Sequence, residues 1–242
     1  MSRTITGTIG TLVSLTLVSD DPATIDAAGV LTAGLNGNAS RAWQILNLGT
    51  VTNAAAVSSG VRLLAGGTVA NSGTASLISG AGYGVRISGG AASVSNAGQI
   101  SGTGGYGVYT YDGGSVTNLS TGTVSGAIAI YAGASALTVD NAGSIVGGTA
   151  AGKAGIRARA GATVTNRSTG TISGRYGIRV QGAAATIANA GGVSGGVSAG
   201  GRGLLLSGGG SVVNQSAARI DGYYGIEATG TTTSLVNSGI VA

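Results

Sequence analysis

Seven carboxylates are the only acids in the 242-residue chain: Asp20, Asp21, Asp26, Asp112, Asp140, Asp221 and Glu227. Cleaving a glycosidic bond by acid–base chemistry needs two such groups flanking one bond. Asp112 and Asp140 fall on different edges of their repeats, Asp221 and Glu227 on consecutive segments, and Asp20-Asp21-Pro22 forms a turn. The Gly-Gly-x-Gly-x-Asp phrase of calcium-loaded rolls is missing. Histidine and cysteine are absent, which removes a Ser-His-Asp relay, a thiolate zinc site and a disulfide framework. The acids are therefore expected to be solvated surface groups, and the chain to be no enzyme and to carry no metal or cofactor.

Arginine and tyrosine recur with a regularity that the acids lack. One phrase appears as Gly60-Val61-Arg62-Leu63, Gly84-Val85-Arg86-Ile87, Gly155-Ile156-Arg157-Ala158 and Gly177-Ile178-Arg179-Val180. Through the whole series the residue after Gly-Val or Gly-Ile is Arg62, Arg86, Tyr109, Ala129, Arg157, Arg179, Leu205 and Glu227, with Ala127-Ile128-Ala129-Ile130 as a degenerate copy. The residue before the glycine is Tyr83, Tyr106, Tyr176 or Tyr224 in four units and Arg202 in another; Tyr111, Tyr131 and Arg159 fall two places further along. Tyrosine offers flat stacking area, and arginine offers paired donors for carboxylate, sulfate or phosphate. A stripe of Arg62, Arg86, Arg157, Arg179, Tyr83, Tyr106, Tyr176 and Tyr224 thus suits an anionic polysaccharide or another extended polymer. The same side chains would also simply cover and solubilise a sheet face.

What places them is a second phrase on the same beat: an apolar residue, any residue, Asn, then usually Gly and a β-branched residue. It carries Asn47, Asn71, Asn96, Asn118, Asn141, Asn166, Asn189, Asn214 and Asn237, at spacings of 24, 25, 22, 23, 25, 23, 25 and 23. Two copies, at Asn118 and Asn166, carry a two-residue insertion before the next apolar position. Segments of four or five residues with period-two alternation suit strands and are too short for helices. A unit of this length cannot bury its own apolar side, but stacked units can share one column. The spacing predicts an all-β parallel β-solenoid (β-helix), three short strands per coil of about 24 residues, in roughly ten coils about 4.8 Å apart.

Within that frame Val61, Val85, Val108, Ile128, Ile156, Ile178, Leu204 and Ile226 are expected inside. The repeated Asn is expected to turn inward at a corner and stack as an amide ladder. Asn118, Asn166 and Asn214 also match the glycosylation sequon, a coincidence of their place in the ladder. Glycine supplies 49 positions, and corners require either positive φ or close backbone approach. Residues 1–23 are expected to form a first coil or cap, and 24–242 the repeats, with Asp26 at an Asn position. Trp43 is expected to cover the apolar end of the column, and the C-terminal end to be open, inviting pairing.

Composition narrows the partners. Hydrophobic residues make up 43% and charged residues 8%, unlike a disordered chain. The pI of about 9.9 reflects scarce acids more than clustered bases, so no nucleic-acid partner is expected. No run of 18 apolar residues suggests a transmembrane segment, and Leu12 to Val18 does not form a signal peptide. An ice-binding plane would need a regular Thr array, whereas the position before each Asn runs Leu46, Ala70, Ser95, Thr117, Asp140, Thr165, Ala188, Val213, Val236.

The Val-x-Asn-x-Gly-x-Ile units with intervening Gly-Val-Arg phrases resemble the β-solenoid segments of bacterial autotransporter passengers and filamentous haemagglutinin-like adhesins, from about Thr24 to Ala242. The resemblance implies display at, or release from, a Gram-negative cell surface. Three readings follow: a non-catalytic structural or adhesive module, a self-assembling filament subunit stacked end to end, and a polysaccharide-binding or polysaccharide-cleaving β-helix.

Overall fold

No strand of this chain can shield its own apolar side, so each takes its shield from the coils above and below. A computed structural model, describing residues 2–230 and 233–242, is an all-β parallel solenoid of about ten turns with about 23 residues per turn. Among the described residues the helical content is one 3-10 turn, Val18–Asp20.

Each coil presents three faces. Strands running from Arg3–Ile5 to Thr233–Asn237 stack into one 11-stranded parallel sheet, here the asparagine face. A second face is built from short strands such as Thr50–Asn53, Leu77–Gly80 and Ser144–Val146. The third is built from Ser59–Leu63, Tyr83–Ile87, Ala154–Ala158, Tyr176–Val180, Arg202–Leu206 and Tyr224–Ala228. Two longer strands, Gln99–Thr110 and Thr123–Ala132, run across both the second and third faces. All three faces turn Val, Ile and Leu inward, as in Val94, Ile100 and Val108 of successive segments, each at most 2% exposed. β-Branched side chains suit this pleated, one-sided burial, and each fully buried Val or Ile contributes about 1.5–3 kcal/mol of transfer free energy.

The eight Asn from Asn47 to Asn214 are the repeating polar element of that core. Each side chain from Asn47 to Asn214 is fully buried. Its Nδ2 donates to Oδ1 of the next Asn in the series at 2.8–2.9 Å, in an unbroken run from Asn47 to Asn237. The same Nδ2 also donates to backbone: Asn141 reaches the carbonyls of Gly143 and Thr171, both at 3.2 Å. The insertions after Asn118 and Asn166 leave this intact, because those amides reach Gly122 and Gly170 where Asn96 reaches Gly98. The extra residues bulge outward, and the ladder keeps its register.

Glycine acts in two ways around this column. Gly67 has φ +131°, and a Cβ there would meet the Trp43 carbonyl oxygen at 2.3 Å. Gly143 has ordinary dihedrals, yet a Cβ would lie 2.3 Å from the Leu119 and Gly122 carbonyls of the preceding coil. Close approach between coils, as well as positive φ, accounts for the glycine demand.

Several expectations shift. Tyr106, not Val108, faces Ile128 across the ladder, and Val108 faces Ile130. The degenerate copy is therefore framed two residues later than its sequence suggested, with Ile130 on the inner column; Ile128 is buried too, but in the column of Tyr106. Ile226 is only partly buried, because no coil covers it. Ile25, not Asp26, pairs with Asn47, so the amide ladder starts at Asn47 and apolar Ile25 holds the preceding position. Asp26 instead accepts from the Ala28 N–H at 3.0 Å, closing a turn. Trp43 lies inside the column, fully buried, with Nε1 donating to the Asn38 carbonyl at 2.9 Å. Two strands, Arg3–Ile5 and Ala23–Ile25, stack ahead of its own, so it fills a corner and does not cap an end.

The two ends differ. Ile5, Val13 and Leu15 of the first coil are buried, and Arg3 crosses to the Ser14 carbonyl and to Asp20. Asp20 accepts the backbone N–H of Leu17 and of Thr16, both at 3.0 Å, which holds its carboxyl below the usual value of 3.8, with Arg3 adding to the effect. In the last coil Leu235, Val236 and Ile240 are more than half exposed.

Two outcomes test this construction. Asn141→Ala strands the Asn166 acceptor and empties part of the column, so urea unfolding should lose about 2 kcal/mol or more, whereas Asn237→Ala in the exposed last coil should change little. Because the folded pKa of Asp20 is depressed, its contribution is present above the unfolded value and lost as pH falls through the folded one. Asp20→Asn should therefore flatten the acid limb of a melting-temperature profile below about pH 4.

Candidate functional site: the tyrosine–arginine face

Two strands of the third face, Tyr83–Ile87 and Tyr176–Val180, share one burial sequence: half-buried Tyr, buried Gly, buried Val or Ile, half-buried Arg, buried Ile or Val. Strict alternation would turn the tyrosine inward. Cross-coil pairing skips the glycine, as between Tyr83–Val85 and Tyr106–Val108, and so Tyr and Arg emerge on one side of the sheet. The Arg86 guanidinium accordingly lies 5.1 Å from the Tyr83 ring centroid.

Register lines these residues into two columns. One runs Asn36, Arg62, Arg86, Tyr109, Tyr131, Arg157, Arg179, Leu205, Glu227. The other runs Ser59, Tyr83, Tyr106, Ile128, Ala154, Tyr176, Arg202, Tyr224. All eight stripe residues inferred from sequence lie in these columns, with Arg62 and Tyr224 exposed and the other six half-buried. Ala129 does not share the arginine column as expected; Tyr131 takes that place, and Ala129 is buried. Tyr131 and Asn36 were the residues that sequence reading misplaced or missed. The frame of neighbouring coils, counted from Asn118 rather than from the glycine, could have recovered Tyr131.

The middle of the face is a tyrosine block. Tyr83 stacks on Tyr106 with centroids 5.4 Å apart, and Tyr109 on Tyr131 at 5.1 Å. Edge-to-face contacts of 5.3–5.4 Å join the two stacks, a favoured arrangement for aromatic quadrupoles. Burial pushes the phenols of Tyr106 and Tyr109 above their usual value, so both stay neutral.

Cations flank the block on both sides. Arg62 and Arg86 pair in register on one side, Arg157 and Arg179 on the other. Tyr176 lies under Arg179 at 5.1 Å and under Arg202 at 5.7 Å. Arg202 also bonds Glu227 at 2.5 Å. Among the described residues Arg62, Arg86, Arg157 and Arg179 have no carboxylate within ion-pair distance. Burial, then the Arg157 charge, lowers the Arg179 pKa. The Nε atoms of Arg86, Arg157 and Arg179 are buried without a hydrogen-bond partner. Like charges are thus stacked along one line with donors to spare.

The acids are engaged elsewhere. Asp112 accepts the Gly89 and Gly90 N–H groups at 2.7 and 3.1 Å, and Asp140 takes Arg167 in a two-bond fork. Asp21 bonds the Gln44 N–H and Arg41, and Asp221 bonds Arg219. No two of the seven share a partner among the described residues. Among the described residues no three His, Cys, Asp or Glu gather as a metal site, and no helix is long and apolar enough to cross a membrane. The sequon residues Asn118, Asn166 and Asn214 are buried in the ladder, closed to modification in the folded chain.

A further periodic column lies three places before the asparagines: Thr68, Ser93, Ser115, Thr138, Thr163, Thr186, Ser211 and Ser234, aligned coil to coil. The column beside it mixes Ala70, Asp140, Ala188 and Val213, so the hydroxyls do not extend into a uniform plane. Comparisons with protein-family models, curated proteins and solved structures found no match to this chain.

Repulsion within the arginine column should be visible in stability. Arg179→Gln is expected to raise thermal stability slightly at low salt, by at most about 1 kcal/mol. Added salt should stabilise the parent chain more than the variant. Equal salt responses would show that the column is not strained.

Proposed function

We propose that this chain is a non-catalytic structural or adhesive rod whose tyrosine–arginine face engages an extended anionic polymer, an acidic polysaccharide above all. One observation carries this reading: arginines in register on either side of a tyrosine block, without carboxylate partners among the described residues. Guanidinium donors are strongest against carboxylate, sulfate or phosphate, and aromatic faces take the apolar side of a sugar ring. The coil spacing of about 4.8 Å repeats these groups along a line, which suits a polymer better than a compact ligand. Engagement of every acid in a turn or an ion pair supports a role without catalysis. Likeness of the repeat phrases to autotransporter and haemagglutinin-like adhesins supports display at a bacterial cell surface or release from it.

The test is retention on immobilised polyuronate or sulfated glycan at low salt, beside a neutral glycan control. The parent chain should be retained and elute as salt rises. Arg86→Ser, Arg157→Ser and Arg179→Ser combined should flow through. Unchanged retention of that triple variant overturns the reading.

End-to-end assembly is a second reading, supported by the apolar side chains that the last coil exposes, Leu235, Val236 and Ile240. Negative-stain microscopy at rising concentration separates the two. Rods that lengthen support assembly, and rods of one length, about 50 Å for ten coils, overturn it.

A further inference from the structure

Next to the N-terminal end of the stripe the surface becomes concave. A cleft of about 260 Å³ is lined by Asn36, Arg62 and Arg86 of the arginine column and by Leu12, Val57 and Ser59 among its other residues. Its rim is conformationally committed: Val57 holds φ +52° and is 81% exposed, a costly combination for a β-branched residue. The neighbouring Ser58 hydroxyl donates to the Asn53 carbonyl at 2.7 Å, which fixes the loop base.

Two polar atoms of these lining residues lack partners. The Asn36 Oδ1 acceptor and the Arg86 Nε donor are both buried and both unbonded. Such atoms are costly to leave empty. Arg86 cannot readily swing away to satisfy itself, since its guanidinium sits 5.1 Å from the Tyr83 ring and 5.8 Å from that of Tyr109. Arg62, one coil away in register, is exposed and has no carboxylate partner among the described residues. The cleft therefore brings together two guanidinium groups, a side-chain amide and the apolar Leu12 and Val57.

We propose that this cleft is a subsite for one carboxylate-bearing sugar residue, a uronate, within the acidic glycan that the face engages. The carboxylate lies against the terminal guanidinium nitrogens of Arg62 and Arg86, a ring hydroxyl bonds the Asn36 amide, and the C–H side of the ring rests on Leu12 and Val57. A planar two-oxygen anion matches guanidinium donors better than a point charge does. A hydroxyl beside that anion is what separates a sugar acid from a bare ion at Asn36. This assignment rests on the glycan-binding reading of the whole face and narrows it to a position and a chemical class.

Trigalacturonate, its methyl ester and long polygalacturonate, each titrated calorimetrically against the folded full chain, test both levels. Trigalacturonate should bind, and its uncharged methyl ester should bind about tenfold more weakly or worse. Arg62→Ser, on an exposed side chain, and Arg86→Lys, which keeps the charge and loses the planar fork, should each weaken trigalacturonate about tenfold. Asn36→Leu should do likewise, with circular dichroism confirming that each variant folds. Arg157→Ser with Arg179→Ser should leave trigalacturonate unchanged while weakening the long polymer. Equal loss of the trimer in that distal pair, or equal binding of the methyl ester, overturns the subsite and leaves the polymer-binding face standing. Long polymer bound without any trimer binding does the same. Failure of both ligands overturns the subsite and the parent reading together.

Discussion

Stacking a buried amide on its own copy is the constraint to which the other features of this molecule answer. An Asn side chain inside an apolar column must satisfy two donors and an acceptor, and only the identical residue one coil away, with nearby carbonyls, does so for every coil from Asn47 to Asn214. The requirement fixes register, because a slip of one residue would bury Ser95 or Thr165 where the amide belongs and turn Val94 or Val164 outward. It also fixes where length can vary. The insertions after Asn118 and Asn166 appear outside the column, since nothing inside it can move.

Once register is fixed, the surface follows without further design of its own. Whatever residue stands two places before or beside an inner Val or Ile is copied onto a straight line down the rod. The glycine that pairing skips lets Tyr83 and Arg86, three residues apart, meet over the same patch of sheet. From this come the stacked tyrosines, the guanidinium groups held against their rings and the column of like charge. These are three results of one repeated geometry. The cost of placing Arg157 above Arg179 is tolerable on a half-exposed face, where solvent screens it, and it leaves the rod poised toward anions.

The sequence disclosed the coil, the ladder and most of the stripe because each rests on periodicity, which needs no knowledge of contacts. It misled where a coil lacked its marker. At Ala127–Ile130 the usual Gly is Ala, and anchoring the frame on that position misassigned Ile128 and Ala129, while distance from the neighbouring Asn would have chosen Ile130 and Tyr131. Asp26 looked like an Asn substitute by chemistry, yet an ionised carboxylate has no place in a buried amide stack, and Ile25 takes the position. The cleft was not legible at all. It combines Leu12, Asn36 and Val57 from non-repeating stretches with Arg62 and Arg86, and a backbone conformation such as that of Val57 leaves no trace in a periodic pattern.

The ladder has one more property, which lies in its direction. Each amide gives its proton to the next Asn toward the C-terminus, so the dipoles point one way and each bond polarises its neighbours. Any coil therefore receives and hands on the same connection, whatever its position. Asn118 meets Asn141 just as Asn141 meets Asn166, and removing or duplicating a whole coil would join equivalent ends. Rod length is thereby uncoupled from fold: such a chain can grow or shrink by unequal exchange of its own repeats and still close every hydrogen bond in its core, which makes reach a quantity that selection can adjust one coil at a time.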